Sequence, residues 1–233
     1  MKNILIFFTI SAMLLQGCNN HSAVDAVQLL SDTTHKASCE SFTSDKDGRP
    51  VISWCENDNA GNKQFFFSHF DKEKNNFSER INIPIEKSTS LHEEGMPKLA
   101  IKNDGTIVAV YEVAAPTDKS RFAGNIKYIQ SFDDGKSWTN PGFLHADTTA
   151  GESHSFAAIS RLANGEIGAS WLDVSFGTNK DGRSVKFATT NGHNGFSNEK
   201  LIDSFACQCC RTALSCDKKG NVSIMFRDLI SDS

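Results

Sequence analysis

The sequence lacks a surplus of basic residues, a long apolar run and any convincing helical periodicity. Its 24 lysines and arginines are outnumbered by 28 aspartates and glutamates, and the formal net charge is −4. Because a nucleic-acid-binding protein needs a basic face, we expect no nucleic-acid partner. The apolar run from Ile4 to Leu15 is too short for a permanent membrane-spanning helix.

Neither the cysteine content nor the overall polarity marks an unusual class of protein. Seven cysteines among 233 residues are too few for a disulfide-dense miniprotein. The chain is 39% hydrophobic and 22% charged, with glycine and proline at ordinary levels. This composition excludes a disordered, collagen-like or coiled-coil chain, and it supplies enough apolar residues for a core.

Residues 1–17 have the features of an export signal. Lys2 precedes the short apolar run, which ends in Leu15-Gln16-Gly17-Cys18. This ending resembles the lipobox of bacterial lipoproteins, and the resemblance implies cleavage before Cys18 and lipid attachment to its thiol. The alternative is an ordinary secretory signal with an unrelated cysteine.

The export signal predicts where the protein resides. Residues 18–36 would form a polar tether, and the protein would be an extracytoplasmic, membrane-anchored lipoprotein. If the organism is Gram-negative, the location is the outer membrane or the periplasm, and Asn19 after the cysteine favours the outer membrane. An oxidising compartment would permit disulfides among the other six cysteines.

A repeat of 55 to 60 residues runs through the rest of the chain. Its turn glycines are Gly48, Gly105, Gly165 and Gly220. Each follows a polar residue and precedes an alternating strand that ends in an aromatic residue, which is typical of a hairpin. With the strands before and after it, each repeat supplies four antiparallel strands, as in a β-propeller blade. We predict an all-β propeller over residues 37–233.

One turn of the second repeat matches the pattern Ser-x-Asp-x-Gly-x-x-Trp. The defined positions are Ser131, Asp133, Gly135 and Trp138. The serine and the aspartate can bind backbone amides, the glycine can supply a positive φ, and the tryptophan can pack between blades.

This motif resembles the Asp-box, or BNR repeat, of sialidase-like β-propellers. The resemblance implies a six-bladed propeller, of which about three and a half blades are present in a chain truncated at its C-terminal side. Asp-boxes occur in sialidases, other glycosidases and non-enzymatic propellers, on the face away from the active site. The motif therefore indicates a fold and not a chemistry.

The resemblance also implies a ligand site over the central tunnel, where the first strand of each blade begins and the second ends. The second strands end in four acidic residues, Glu56, Glu112, Asp173 and Asp228. A carboxylate pair there could act as acid and base on a glycosidic bond. Solvated strand ends, or hydrogen bonds to the next loop, are the alternative. The candidate catalytic residues are Glu112, Asp173, Asp228 and Arg211, and the candidate substrate-binding residues are Arg211, Arg227, Glu56 and His154.

The sequence departs from true sialidases at the carboxylate-binding arginines. Those enzymes use three arginines, and the first lies in a Phe/Tyr-Arg-Ile-Pro motif. Gly95 stands where that arginine would be, which leaves Arg211 and Arg227 as candidates. Tyr111 and Tyr128 are the only tyrosines, and both fall in predicted strands. True sialidase activity is therefore not expected.

The cysteines of the propeller fall into two groups. Cys39 and Cys55 are symmetric about the first turn, so we predict a cross-strand disulfide between them. Cys207, Cys209 and Cys210 could bind zinc only with a fourth ligand such as Cys216, and disulfides to neighbouring loops are favoured instead. We expect no metal and no cofactor.

These observations predict a lipid-anchored, sialidase-like propeller that acts on extracytoplasmic glycans. If it is catalytic, it is an exo-acting glycoside hydrolase that resembles the exo-alpha-sialidases. The alternatives are a non-catalytic propeller that binds glycans or proteins, and a propeller that assists the assembly of envelope proteins. The oligomeric state stays open.

Overall fold

The structure, a computed structural model, describes residues 27–118, 120–175, 177 and 181–229. Within these ranges the chain forms β-strands and a single 3-10 turn at Glu93–Gly95. The predicted signal peptide, the predicted lipid-attachment residue Cys18 and the first part of the predicted tether lie outside the described residues. No helix in the described ranges has the length and apolar character of a membrane span.

The strands form four successive antiparallel sheets. The first contains β1 (Lys36–Ser44), β2 (Pro50–Asn57), β3 (Lys63–Asp71), β4 (Asn76–Phe77) and β5 (Ile81–Ile83). The second contains β6 (Lys98–Ile101), β7 (Ile107–Ala114), β8 (Gly124–Ser131) and β9 (Gly142–Phe143). The third contains β10 (Ser155–Arg161), β11 (Ile167–Leu172), β12 (Arg183–Thr190) and β13 (Phe196–Ala206), and the fourth contains β14 (Ala213–Cys216) and β15 (Val222–Met225).

In each sheet consecutive strands pair, except that β5 of the first sheet pairs with β3 and not with β4. The predicted turn glycines join the first strand of each sheet to the second, and Gly48 and Gly165 have φ angles of 74° and 86°. Ser44 pairs with Pro50 at the tip of the first hairpin, and Arg161 pairs with Ile167 in the third. The predicted all-β chain of repeating antiparallel sheets is confirmed.

The core fills the spaces between neighbouring sheets. Phe65 and Phe67 of the first sheet pack with Ile101 and Ile107 of the second. Trp171 of the third sheet packs in a second cluster that also contains residues of the second sheet. Because side chains alternate along a strand, each sheet can bury one face against each neighbour.

The first strands of the sheets lie side by side, in the order β1, β6, β10 and β14. A cavity of about 470 Å³ is lined by residues 41–44, 98–100 and 159–161 of the first three of these strands. Arg161 bridges one end of it, since its guanidinium donates to the carbonyls of Asp45 and Ile101 and to Ser44 Oγ. We call the opposite end, where the first strands begin, the mouth.

The Asp-box forms the turn that its residues suggest. Gly135 has a φ of 83°, and its amide donates to Ser131 Oγ at 2.8 Å. Asp133 Oδ1 accepts from the amide of Ser137 at 2.8 Å. The ring of Trp138 lies edge-on to Phe67 of the first sheet, with 6.5 Å between the ring centroids. The turn therefore joins the second sheet to the first.

Candidate functional site

The sequence predicts four carboxylates in register at the mouth. The structure places Glu56 and Asp173 in full burial, leaves Glu112 half-buried and exposes Asp228. The four carboxylates therefore differ in their surroundings and do not form one acidic ring. Their contacts show the reason for each difference.

Glu56, at the end of β2, is bound entirely by its own sheet. Trp54 Nε1 donates to its Oε1 at 2.9 Å, and His35 Nδ1 lies 2.9 Å from its Oε2. Arg80 Nη1 lies 2.6 Å from Oε1. Burial opposes ionisation, but the hydrogen bonds from Trp54 and His35 outweigh it and hold the pKa of Glu56 below its usual value. A carboxylate with these contacts stabilises the sheet. Its side chain has no exposed surface for the substrate binding that the sequence predicts.

Asp173 repeats this arrangement in the third sheet. Trp171 Nε1 donates to its Oδ2 at 2.6 Å, and His154 Nδ1 lies 3.0 Å from the same oxygen. Lys186 Nζ lies 3.2 Å from Oδ1. Burial would raise the pKa of Asp173, but the bonds from His154 and Trp171 hold it well below the usual range. Asp173 therefore fits the alternative interpretation of the sequence, a carboxylate that hydrogen-bonds to a neighbouring segment. It does not lie open to a substrate.

His145 belongs to the same cluster and carries no sequence signal. Its ring stacks on that of His154, with 3.6 Å between centroids and 9° between planes. Its Nε2 accepts from the amide of Ile126 at 3.2 Å, which leaves the ring proton on Nδ1, facing the carbonyl of Asp147. Burial, with the neighbouring His154, lowers the pKa of His145 to about 4, so the ring is neutral at pH 7.

Arg183 is a second residue that sequence reasoning missed. It begins β12, is 8% exposed, and donates to the carbonyls of Ser153, Leu172 and Asp173 and to Ser155 Oγ. Burial lowers its pKa to about 10. Because its donors are occupied by the backbone around the mouth, Arg183 fixes the start of β10 and not a ligand.

Glu112 differs because it lies one residue earlier in the repeat. Glu56 and Asp173 follow their turn glycines by eight residues, whereas Glu112 follows Gly105 by seven. Since side chains alternate along a strand, this offset turns Glu112 to the other face of β7. There its Oε1 accepts from the amide of Phe156 at 2.5 Å and from that of Ala157 at 3.4 Å, at the start of the third sheet.

The surroundings of Glu112 change its acidity. Burial raises the pKa of Glu112 to about 7, although the amide of Phe156 and the charge of Lys98 act in the opposite direction. Lys98, on β6, is itself half-buried, and burial lowers its pKa. Glu94 and Arg211 also act electrostatically on Lys98, so these four side chains share one region of the mouth.

Gly95, where the sequence resemblance would place the first sialidase arginine, packs against Glu112. Gly95 is buried, and a Cβ atom at this position would overlap the carboxyl group of Glu112. Because these atoms are the far end of a flexible side chain, a larger residue here would displace the Glu112 carboxyl group from the amides of Phe156 and Ala157. The Glu112 carboxyl group thus occupies the space beside Gly95.

The remaining predicted residues lie on the exposed side of the mouth. Arg211 is exposed, its Nε lies 3.7 Å from Glu94 Oε2, and its amide donates to the same oxygen at 3.3 Å. Arg227 Nη1 lies 3.9 Å from Cys210 Sγ. Asp228 is exposed, and its backbone bridges to Ala206. Arg211 and Asp228 are thus accessible to a ligand, and their predicted roles stay predictions.

The register of the first hairpin corrects the predicted position of Cys39. Ser38, and not Cys39, pairs with Cys55, because the strand bulges between Ser38 and Ser41 and Cys39 takes a φ of 60°. Both thiols are free in the structure; Cys39 Sγ donates to the carbonyl of Leu91 at 3.5 Å, and the neighbouring Cys55 thiol lowers the pKa of Cys39 to about 7. The disulfide stays a prediction.

Sequence comparisons identify no relative of the chain. No family model matches it, and no curated protein is similar to it.

Comparison with solved structures finds the same fold. A protein of unknown function from Dyadobacter fermentans aligns with a TM-score of 0.57 at 15% identity, over 85% of this chain and 64% of that one. The alpha-L-arabinanase of Penicillium chrysogenum, solved with arabinobiose, aligns with a TM-score of 0.57 at 9% identity, over 81% and 58%. The NanB sialidase of Streptococcus pneumoniae aligns with a TM-score of 0.52 at 12% identity, over 85% and 29%.

At these identities the likeness establishes the fold alone. The sheets of this chain match those of propeller-like glycosidases. The chain spans less than two thirds of the length of each of these three proteins.

Proposed function

We propose that the chain forms the sialidase-like β-propeller of an extracytoplasmic, glycan-acting protein, an exo-acting glycoside hydrolase in which Glu112 donates the proton to the leaving sugar. The proposal includes a propeller of six blades. The observation that carries it is the position of Glu112, half-buried at the mouth, against two backbone amides and within electrostatic reach of Lys98.

The acidity of Glu112 fits the role of a general acid. With a pKa of about 7, the side chain is protonated in about half of the molecules at neutral pH, and the protonated form can release its proton during bond cleavage. Glu56 and Asp173 lie outside this chemistry because their oxygens are bound within their own sheets. Asp228 is the exposed carboxylate at the same mouth that could act as the base or nucleophile.

The arginines limit the class of substrate. The Glu112 carboxyl group occupies the space beside Gly95, where the resemblance would place the first sialidase arginine, and Arg211 is paired with Glu94. A single exposed arginine can contact one anionic group, but it cannot form a three-arginine clamp. We therefore expect neutral glycosides, or glycosides with one anionic substituent, to be better substrates than sialosides.

A non-catalytic glycan- or protein-binding propeller is the second candidate. It is favoured by the burial of Glu56 and Asp173. Glycoside hydrolysis uses a pair of carboxylates, and of the four predicted ones this burial leaves Glu112 and Asp228 as the single available pair. In that case Arg211 and the half-buried Lys98 and Glu112 would supply polar contacts to a bound ligand without bond cleavage.

A panel of fluorogenic sialosides and neutral glycosides separates the two candidates. Glu112→Gln, Arg211→Ala and Asp228→Ala are compared with Glu73→Gln, which changes an exposed glutamate in the turn between β3 and β4. Turnover that is lost in Glu112→Gln and kept in Glu73→Gln supports a hydrolase. No turnover of any substrate, together with retained binding on a glycan array, would favour the binding protein.

We further propose that Cys18 carries a lipid and anchors the protein to a membrane outside the cytoplasm. The support is the sequence Leu15-Gln16-Gly17-Cys18. Two or three acyl chains would hold a protein far more firmly than a single chain does. Mass spectrometry of the N-terminal peptide, with Cys18→Ser as the control, tests this: an unmodified Cys18 in membrane-extracted protein would contradict it.

A further inference from the structure

The connection from β13 to β14 brings three cysteines together beside the mouth. Cys207 Sγ lies 3.4 Å from Cys209 Sγ, and Cys209 Sγ lies 4.0 Å from Cys210 Sγ. All three sulfurs lie within 4.8 Å of one another. Cys207 is mostly buried, Cys209 is exposed and Cys210 is half-buried, so the cluster opens to solvent on one side.

We propose that Cys207, Cys209 and Cys210 form a three-thiolate site for a soft metal ion, with Cu(I) preferred over Zn(II). The sequence alone favours disulfides for these residues, because the protein is predicted to be exported. A closed zinc site would also need a fourth ligand, for which Cys216 is the candidate. The structure instead brings the three sulfur atoms of this short segment together. Three sulfur atoms are a complete ligand set for a three-coordinate ion.

The spacing of the sulfurs fits metal coordination. A metal–sulfur bond of about 2.3 Å places the sulfurs of a trigonal or tetrahedral site roughly 4 Å apart. The two distances given above bracket this separation at 3.4 and 4.0 Å. Thiolates select Cu(I) and zinc among the common ions, and Zn(II) would need a fourth ligand from solvent or from a bound molecule.

The surroundings favour a site with a negative charge. Three thiolates around Cu(I) carry a net charge of −2, and the Arg227 guanidinium, 3.9 Å from Cys210 Sγ, offsets part of it. The Cys207 amide also donates to the carbonyl of Arg227 at 2.8 Å, which holds the cluster against the end of β15.

A bound ion would brace the segment that carries Arg211. Arg211 follows Cys210 directly, and Thr212 is anchored in the third sheet through Ser170. A metal that ties Cys207 to Cys209 and Cys210 would fix the chain immediately before Arg211. This inference concerns only the cysteine cluster and holds whether or not the mouth is catalytic.

The experiment is a competition for copper. The full chain, reduced and kept free of oxygen, is titrated with Cu(I) held by a chromophoric chelator. The wild-type protein and Cys216→Ser, the matched control outside the cluster, should withdraw one equivalent. Cys209→Ser and Cys210→Ser should bind at least about 100-fold more weakly, the upper end of the loss caused by removing an outer-shell contact.

A parallel titration with Zn(II) and a zinc chelator identifies the preferred ion, and circular dichroism verifies that each variant is folded. Copper that stays with the chelator, or a loss that is as large in Cys216→Ser as in Cys209→Ser, would overturn the proposal. Protein recovered from cells with two of the three sulfurs joined in a disulfide, and with neither copper nor zinc bound, would also overturn it.

Discussion

His154 Nδ1 lies 3.0 Å from Asp173 Oδ2, and neither side chain is exposed to solvent. Trp171 donates to the same oxygen, and Glu56 is held in the same way by Trp54 and His35 in the first sheet. The repeated unit is therefore a carboxylate that ties the end of a second strand to the segment before the first. Stability, not ligand binding, is the direct consequence of this geometry.

Replacement of Asp173 should strongly destabilise the protein. Asp173→Ala leaves the ring N–H of His154 and the indole N–H of Trp171 buried without an acceptor. Removing this buried carboxylate from those donors and from its ion pair with Lys186 costs about 3–5 kcal/mol of unfolding free energy. Urea denaturation at neutral pH measures it. Asp47→Asn, on a half-exposed surface ion pair, should change stability by less than about 0.5 kcal/mol, and an equal loss in both variants would contradict the account.

The buried His145 should make the protein less stable as the pH falls. Its pKa is about 4 in the folded protein, against about 6.5 in an unfolded chain. Below pH 6.5 the unfolded state takes up a proton that the folded state refuses, so stability falls until about pH 4, by roughly 3 kcal/mol in all. Urea denaturation across this range should show a smaller slope in His145→Gln. An unchanged slope would mean that His145 is protonated in the folded protein.

Glu112 should have the opposite effect on stability. Its pKa is about 7 in the folded protein, so the folded state holds a proton that the unfolded state, with a glutamate pKa of about 4.3, releases. Stability due to this group is therefore present at low pH and lost as the pH rises to about 7. Glu112→Gln should be more stable than the wild type above pH 7 and similar to it near pH 4. Equal stability differences at both pH values would contradict the raised pKa.

Gly95→Ala should destabilise the protein through contact with Glu112. The added methyl group would overlap the Glu112 carboxyl group, which must shift and weaken its bonds to the amides of Phe156 and Ala157, at a cost of about 1 kcal/mol. In a Glu112→Ala background the cost should fall, because the obstructing carboxyl group is gone. A double-mutant cycle by urea denaturation measures the coupling, and a cost that is the same in both backgrounds would rule out this contact.

Cys39 and Cys55 should form a disulfide when the protein is exported to an oxidising compartment. Both are buried in the first hairpin, and the Cys55 thiol is near enough to lower the pKa of Cys39. Non-reducing digestion and mass spectrometry should recover the two cysteines in one linked peptide pair. If both are alkylated in unfolded protein before any reductant is added, the disulfide is absent.

The turn glycines and the alternating strands were sufficient to predict the sheets. Gly48 and Gly165 have the positive φ that a tight turn requires, and their hairpins pair as the repeat predicts. Local patterns are readable from sequence because turn and strand preferences act over a few residues.

The site was less predictable because it depends on contacts between sheets. Glu112 reads like the other acidic strand ends, but one residue of offset turns it toward Phe156 of the third sheet. His145 and Arg183 carry no motif, and their roles follow from burial against distant segments. The three sulfurs converge through the fold of one connection, which residue spacing alone does not specify.

The most direct test of the proposed function is the pH dependence of kcat/KM for the best glycoside in the panel, measured for the wild type and Glu112→Gln. The account predicts a wild-type rate that falls above about pH 7, as Glu112 loses its proton. It also predicts a rate in Glu112→Gln that is lower by about 100-fold or more and lacks this decline. A Glu112→Gln variant with wild-type kcat/KM and the same pH profile would contradict the assignment of Glu112 as the proton donor.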